Sequence, residues 1–289
     1  MPIRLHIDDP ELLRHAIDFT AQQTGFNPRL IEKDYFCSVV LEYIAANGAN
    51  LIFKGGTCLS KIHGDFYRLS EDLDFSISTP IGSSRTERSR RTVQLKKSIA
   101  ALSDQLPGFR IIEPLKGANN STQYNAVLSY VSLIDDHIEP ISVEVGVREP
   151  ILTRVEMGSA RTALLNPITG RALVGAVDIS CLSYAEAMAE KFRAALCRSE
   201  VAIRDFFDVA YATRRGFDPH EPAFRDLLRE KIAIPGTNQI NITDIRMTEL
   251  RRQLDAQLRP MLRHDEYRDF DLEQAIAIVC QVAHGVGPG

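Results

Sequence analysis

Apolar residues recur at helical spacing through residues 9–23 and 29–46, which predicts two amphipathic helices. Asp8-Asp9-Pro10 and Asn27-Pro28 open them, each offering a side-chain acceptor and a proline with φ already set. The period then shortens. Leu51-Ile52-Phe53 reads as a brief buried strand, and Leu73, Phe75 and Ile77 alternate with Asp72, Asp74 and Ser76, giving a strand with one apolar and one acidic face. A long helix is expected over 83–106. Further strands follow at 108–115, 123–132 and 140–147, parted by Lys116-Gly117-Ala118-Asn119-Asn120 and by Asp135-Asp136. The five strands predict a mixed sheet with the first two helices on its back.

Beyond residue 148 the pattern changes. Residues 149–183 carry Pro150, Pro167 and Thr169-Gly170 and read as a connecting segment, ending at Ser183, a residue suited to cap a helix. Helices are then expected at 184–198, 200–214, 221–231, 244–258 and 265–284, with Gly285 to Gly289 as a loose tail. The fold class is therefore α+β, with a sheet-bearing part at 1–148 and a helical part at 184–289. Residues 216–289 carry no recognisable motif.

Composition narrows the class without naming it. A chain of 289 residues, 44% hydrophobic and 25% charged, is ordinary for a globular protein and argues against disorder. Its formal charge of −4 gives no sign of a nucleic-acid coat protein, although a local basic patch is compatible with it. Five cysteines without a Cys-x-x-Cys pair argue against a disulfide framework and for reduced thiols. No apolar run approaches a membrane span and the first residues form no signal peptide, so the expected location is the cytoplasm.

The candidate chemistry begins at Lys54-Gly55-Gly56-Thr57. Glycines let the chain turn with its amides exposed, so the helix start at Thr57 is an expected anion site for a triphosphate, with the Thr57 hydroxyl adding to it. Lys61, one turn later, is placed to neutralise the same phosphates. Downstream, Asp72 and Asp74 project side by side and repel each other unless a divalent cation sits between them. Ser70, two residues before Asp72, is a candidate ligand or cap. The motif is not a Walker A loop, since no Gly-Lys-Ser/Thr follows, and no Gly-x-Gly-x-x-Gly follows a strand. Arg85, Arg88, Arg90, Arg91, Lys96 and Lys97 form the densest basic cluster in the chain, a candidate RNA contact set against a merely solvated helix face. Glu32-Lys33-Asp34 reads as a solvated face. Arg204 and Asp208 stand four apart and are expected to pair.

Lys54-Gly55-Gly56-Thr57-x-Leu59 with Arg68-x-Ser70-x-Asp72-x-Asp74-Phe75 resembles the signature of the AbiEii/AbiGii nucleotidyltransferase toxins, within the DNA polymerase β-like superfamily. The resemblance covers roughly residues 30 to 215. It extends to Ile141-Ser142-Val143-Glu144-Val145-Gly146-Val147, where it implies Glu144 as a third acidic ligand, and to Glu190-Lys191-x-Arg193 and Arg204-Asp205-Phe206-Phe207-Asp208. It implies a polymerase β-like catalytic domain at 1–148, with the helical part 184–289 completing the site. Asp72, Asp74 and Glu144 would hold two Mg2+ ions. Lys54, Gly55, Gly56, Thr57, Lys61, Ser70 and Lys191 would bind the NTP, and Asp205 or Asp208 would orient Lys191 or act on the acceptor. Tyr184 and Glu190 are weaker candidates. A nucleoside monophosphate would pass to an RNA acceptor such as a transfer RNA 3′ end, and the protein would be the toxin partner of a cognate antitoxin. The alternatives are a catalytically silent nucleotide-binding interaction protein and a small-molecule (antibiotic) nucleotidyltransferase.

Overall fold

The computed structural model describes residues 3–48 and 50–286. The chain divides into two compact units, Met1–Leu182 and Ser183–Gly289. In the first, a seven-stranded sheet is built from β1 (Ile52–Lys54), β2 (Leu73–Ser76), β3 (Phe109–Ala118), β4 (Gln123–Val131), β5 (Ile138–Gly146), β6 (Glu156–Ala160) and β7 (Val177–Cys181) in the order β3-β4-β5-β2-β1-β7-β6. The β2–β5 and β1–β7 pairs are parallel and the others antiparallel, so the sheet is mixed.

Local chemistry explains the elements beneath the sheet. Asp9 accepts from the Leu12 amide and Pro10 opens the helix Pro10–Thr24, which stops at Gly25 in the left-handed region. Asn27 does the same for Pro28–Asn47 by accepting from Arg29 N–H. Their apolar faces join one side of the sheet, where Phe53, Phe75, Val143, Val145 and Cys181 are buried and Phe36 stacks on Tyr130 with ring centroids 3.8 Å apart. Burying Leu73 and Phe75 completely contributes about 1.5–3 kcal/mol each, which fixes the register of β2 and so the face its acidic residues take.

Three expectations are corrected here. The segment 149–183 is not only a connection: it supplies β6 and β7, and β7 lies parallel beside β1 with Leu182 N–H donating to Phe53 C=O. Its signal was the alternation of buried Val177, Ile179 and Cys181 with Asp178 and Ser180, too short to outweigh the prolines and glycine around it. The helix expected over 83–106 is three pieces, Arg85–Arg91, Val93–Ala100 and Leu102–Gln105. The first break falls at Thr92, whose hydroxyl donates to Ser89 C=O and competes with the helical ladder. The third correction is at the C-terminus, where the helix Leu272–Val286 runs through the start of the expected tail, whose residues 287–289 lie outside the described residues.

The second unit is helical, with main elements Tyr184–Cys197, Ile203–Arg214, Pro222–Ala233, Asp244–Gln253 and Leu272–Val286. Ser183 caps the first by accepting from Glu186 N–H. Its far end is closed by the Arg246 guanidinium, which donates to Ala195 C=O at 2.9 Å and to Arg198 C=O. Buried Gln253 bridges the gap to the next helix, accepting from Ile203 N–H and donating to Val201 C=O, both at 2.9 Å. Among the described residues no helix is long and apolar enough to cross a membrane.

Candidate active site

The register of three strands sets one polar row. Lys54 pairs with Asp74 across β1–β2, Asp74 with Glu144 across β2–β5, and Glu144 with Asn125 across β5–β4. Paired residues of neighbouring strands point to one side, so Lys54, Asp74 and Glu144 share the face opposite the apolar core, with strands about 4.8 Å apart. Asp74 and Lys54 are half-buried and Glu144 is exposed. Asp72 stands just before β2, two residues from Asp74, also half-buried.

The glycine turn abuts this row. Gly55 has φ of 76°, and a Cβ there would run into the Asp74 carboxylate; a Cβ on Gly56 would meet the Arg68 guanidinium and lie 3.2 Å from Ser70 Oγ. Both positions require glycine because charged side chains lie directly over the backbone. Arg68 was quoted in the sequence motif without a role; it is fully buried, the largest such side chain among the described residues. The donors of Asp72, Asp74 and Glu144 are all carboxylate oxygens on an accessible face, a set suited to a hard divalent cation such as Mg2+.

The sequence profile of the family described as nucleotidyl transferase AbiEii toxin, type IV TA system, matches residues 40–277, spanning this row and most of the helical unit. The chain belongs to the AbiEii nucleotidyltransferase toxin family. Its fold is similar to that of MenT4, a nucleotidyltransferase toxin from Mycobacterium tuberculosis, at 16% identity and TM-score 0.53 over 94% of this chain and 98% of that one. It is likewise similar to JHP933 from Helicobacter pylori, at 15% identity and TM-score 0.52 over 90% and 93%. Among curated proteins none matches the sequence significantly. The α+β fold, the enzyme class and the toxin family expected from the motifs are thus shown.

Within this AbiEii chain, several expected side chains are committed elsewhere. Lys61 does not reach toward phosphates: it is fully buried, its Nζ 2.6 Å from Asp34 Oδ1 and 2.8 Å from Ser38 Oγ, and it also donates to the carbonyls of Asp34 and Arg161. The reason is a π-helical turn at Leu59–His63, which carries Lys61 inward. The Thr57 hydroxyl donates to Asp72 C=O, so it ties the glycine turn to the strand entry instead of pointing at a phosphate. Glu32, Lys33 and Asp34 form no solvated face. Glu32 accepts from Leu133 N–H at 2.7 Å, Lys33 pairs with Glu71 at 2.9 Å, and Asp34 holds Lys61 and Ala163 N–H. Burial pushes the Glu32 carboxyl above the usual range.

In the helical unit, Lys191 lies 3.0 Å from Asp205 and 2.8 Å from Asp208, with Arg198 at 3.1 Å from Asp205. The expected partner of Asp208 was Arg204, but Lys191 from the neighbouring helix takes it. Sequence reading missed Lys231, which is fully buried between Glu186 at 2.6 Å and Glu190 at 3.2 Å. It lies in the stretch without motifs, and no local pattern marks a lysine whose partners are some 40 residues away.

Of the basic cluster, Arg88 donates to the carbonyls of Ser83 and Asn120, Arg91 to that of Ser78, and Lys96 lies 4.8 Å over the Tyr124 ring. Arg85, Arg90 and Lys97 are exposed.

Proposed function

We propose that this AbiEii protein transfers a nucleoside monophosphate from an NTP to RNA, with a transfer RNA 3′ end as the expected acceptor, and that it does so with divalent cations held by Asp72, Asp74 and Glu144. The observation that carries the reading is the row Lys54–Asp74–Glu144 beside a glycine turn that no side chain could occupy. Divalent ions bound there supply charge for the triphosphate and lower the pKa of an attacking hydroxyl.

The remaining steps belong to the chain itself. The amides of Gly55, Gly56 and Thr57 bind phosphate oxygens, and Lys54 neutralises charge on the same face. The acceptor oxygen bonds to the α-phosphorus as its bond to the β-phosphate oxygen breaks; pyrophosphate leaves and the hydroxyl proton passes to solvent. Lys191 is proposed to contact the triphosphate, oriented by Asp205 and Asp208. Exposed Arg85, Arg90 and Lys97 are proposed to neutralise RNA phosphates. The expected setting is the cytoplasm, with a cognate antitoxin restraining the activity.

The test is incubation of purified protein with each α-labelled NTP, Mg2+ and total cellular RNA. Label should enter RNA with release of pyrophosphate, and replacing Arg85, Arg90 and Lys97 with alanine should flatten the salt dependence of RNA binding. Label entering only small molecules would refute the RNA acceptor, and transfer undiminished by EDTA would refute the metal.

A further inference from the structure

A second cluster of ligating side chains lies apart from the carboxylate row and shares no residue with it. Cys58 closes the short helix Gly55–Cys58, His63 ends the turn that follows, and Cys181 ends β7. Their donor atoms all lie within 4.8 Å of one another. Ligands held at about 2.0–2.3 Å by one ion stand roughly 3.5–4 Å apart, so a contraction of at most about 1.3 Å would gather them.

Three further observations point to a ligand. His63 Nε2 lies 2.9 Å from Leu182 C=O, and a carbonyl only accepts, so Nε2 carries the proton and the Nδ1 lone pair is the coordinating one. This is the outer-sphere bond that fixes a metal-binding imidazole. Space for the sulfur is built in: a Cβ on Gly158 of β6 would come within 2.9 Å of Cys181 Sγ. Cys58 and His63 also both hydrogen-bond the Cys181 sulfur, so the three side chains already converge on one point.

We propose that Cys58, His63 and Cys181 form a site for one thiophilic d10 cation, zinc(II), bound through two thiolates and one imidazole. Binding forms two Zn–S bonds and one Zn–N bond, and the protons held by the two thiols pass to solvent. Three protein ligands leave a fourth position open, reached past half-buried His63. The ion would staple the segment after Gly55-Gly56 to β7, so its loss should loosen the turn that borders Asp74.

Zinc and cobalt(II) titrations of metal-stripped full-length protein, in excess Mg2+ to fill oxygen sites, test this. The expected result is one zinc per chain, bound more tightly than about 1 µM, a raised Tm, and a near-ultraviolet thiolate-to-cobalt band in the wild type. Cys181→Ser and His63→Ala should each weaken zinc by more than about a hundredfold, whereas Asp74→Asn should leave zinc binding unchanged. A wild-type cobalt spectrum without the thiolate band overturns the proposal whether or not the variants fold. So does zinc binding that is lost with Asp74→Asn and kept in Cys181→Ser.

Discussion

The carboxylate row of the sheet and the charge cluster of the helical unit use the same residue types to opposite ends. In the row, acidic side chains share a solvent-accessible face, with Glu144 exposed and Asp74 half-buried. In the cluster, Asp205 and Asp208 are only 2% and 1% exposed, and Lys191 and Arg198 balance their charge. Charge on an accessible face can be met by water or by a ligand; charge buried during folding must be satisfied by the chain, because burying it unpaired costs several kcal/mol. The difference separates residues whose loss should abolish activity from residues whose loss should first unfold the protein.

The sharpest break of that contrast comes from the buried pair Lys61–Asp34. Lys61→Ala leaves a carboxylate 2% exposed without its cation and should cost about 3–5 kcal/mol in urea unfolding; a cost under about 1 kcal/mol would return Lys61 to the phosphate-binding candidates. Asp74→Asn should do the reverse. Transfer should fall at least about a hundredfold, equivalent to about 2.7 kcal/mol, with the unfolding midpoint unchanged or higher because a repulsive charge is gone. A variant that lost both equally would show that the row is structural.

Lys191 lies between the two classes. Its alanine variant should lose about 2 kcal/mol of stability, less than Lys61 because Arg198 still faces Asp205. Calorimetry should show weaker nucleotide binding, with partial recovery in Lys191→Arg. Full recovery of nucleotide affinity without the lysine would place the cluster wholly on the structural side.

The smallest effect is expected at Glu32, where burial raises the folded pKa and Oε2 has no hydrogen-bond partner among the described residues. The penalty of the charged form is complete above the raised folded value and gone below the ordinary carboxylate value. Glu32→Gln should therefore be at least as stable as wild type at pH 7, and this advantage should vanish as the pH falls through the raised value toward the ordinary one. Melting temperatures of both proteins from pH 7 to pH 4 measure it, and a gap that widened on acidification would reverse the assignment.

The elements were largely legible because each is written in local chemistry: Asp9-Pro10 and Asn27-Pro28 open the first two helices, and Leu73 and Phe75 set the face of β2. The candidate site was half legible. The glycine turn and the acidic alternation are each short local patterns, and their order and spacing together mark Gly55, Gly56, Asp72 and Asp74 as candidates. The fates of Lys61, Glu32 and Lys231 were not legible, since each depends on a partner far away in sequence.

The sequence by itself determined the α+β class, the family, and which strand carries the acidic face, because periodicity and short motifs are local properties of the chain. Only the tertiary structure decided which charges face solvent and which are consumed inside. It put Lys54 and Glu144 on either side of Asp74, drew β6 and β7 into the sheet, and turned Lys61 onto Asp34. It also brought Cys58 and His63 to Cys181, more than 100 residues away. The physical reason is that strand register and helix rotation are set by burying apolar side chains over the whole fold, and the position of every charge follows from that packing.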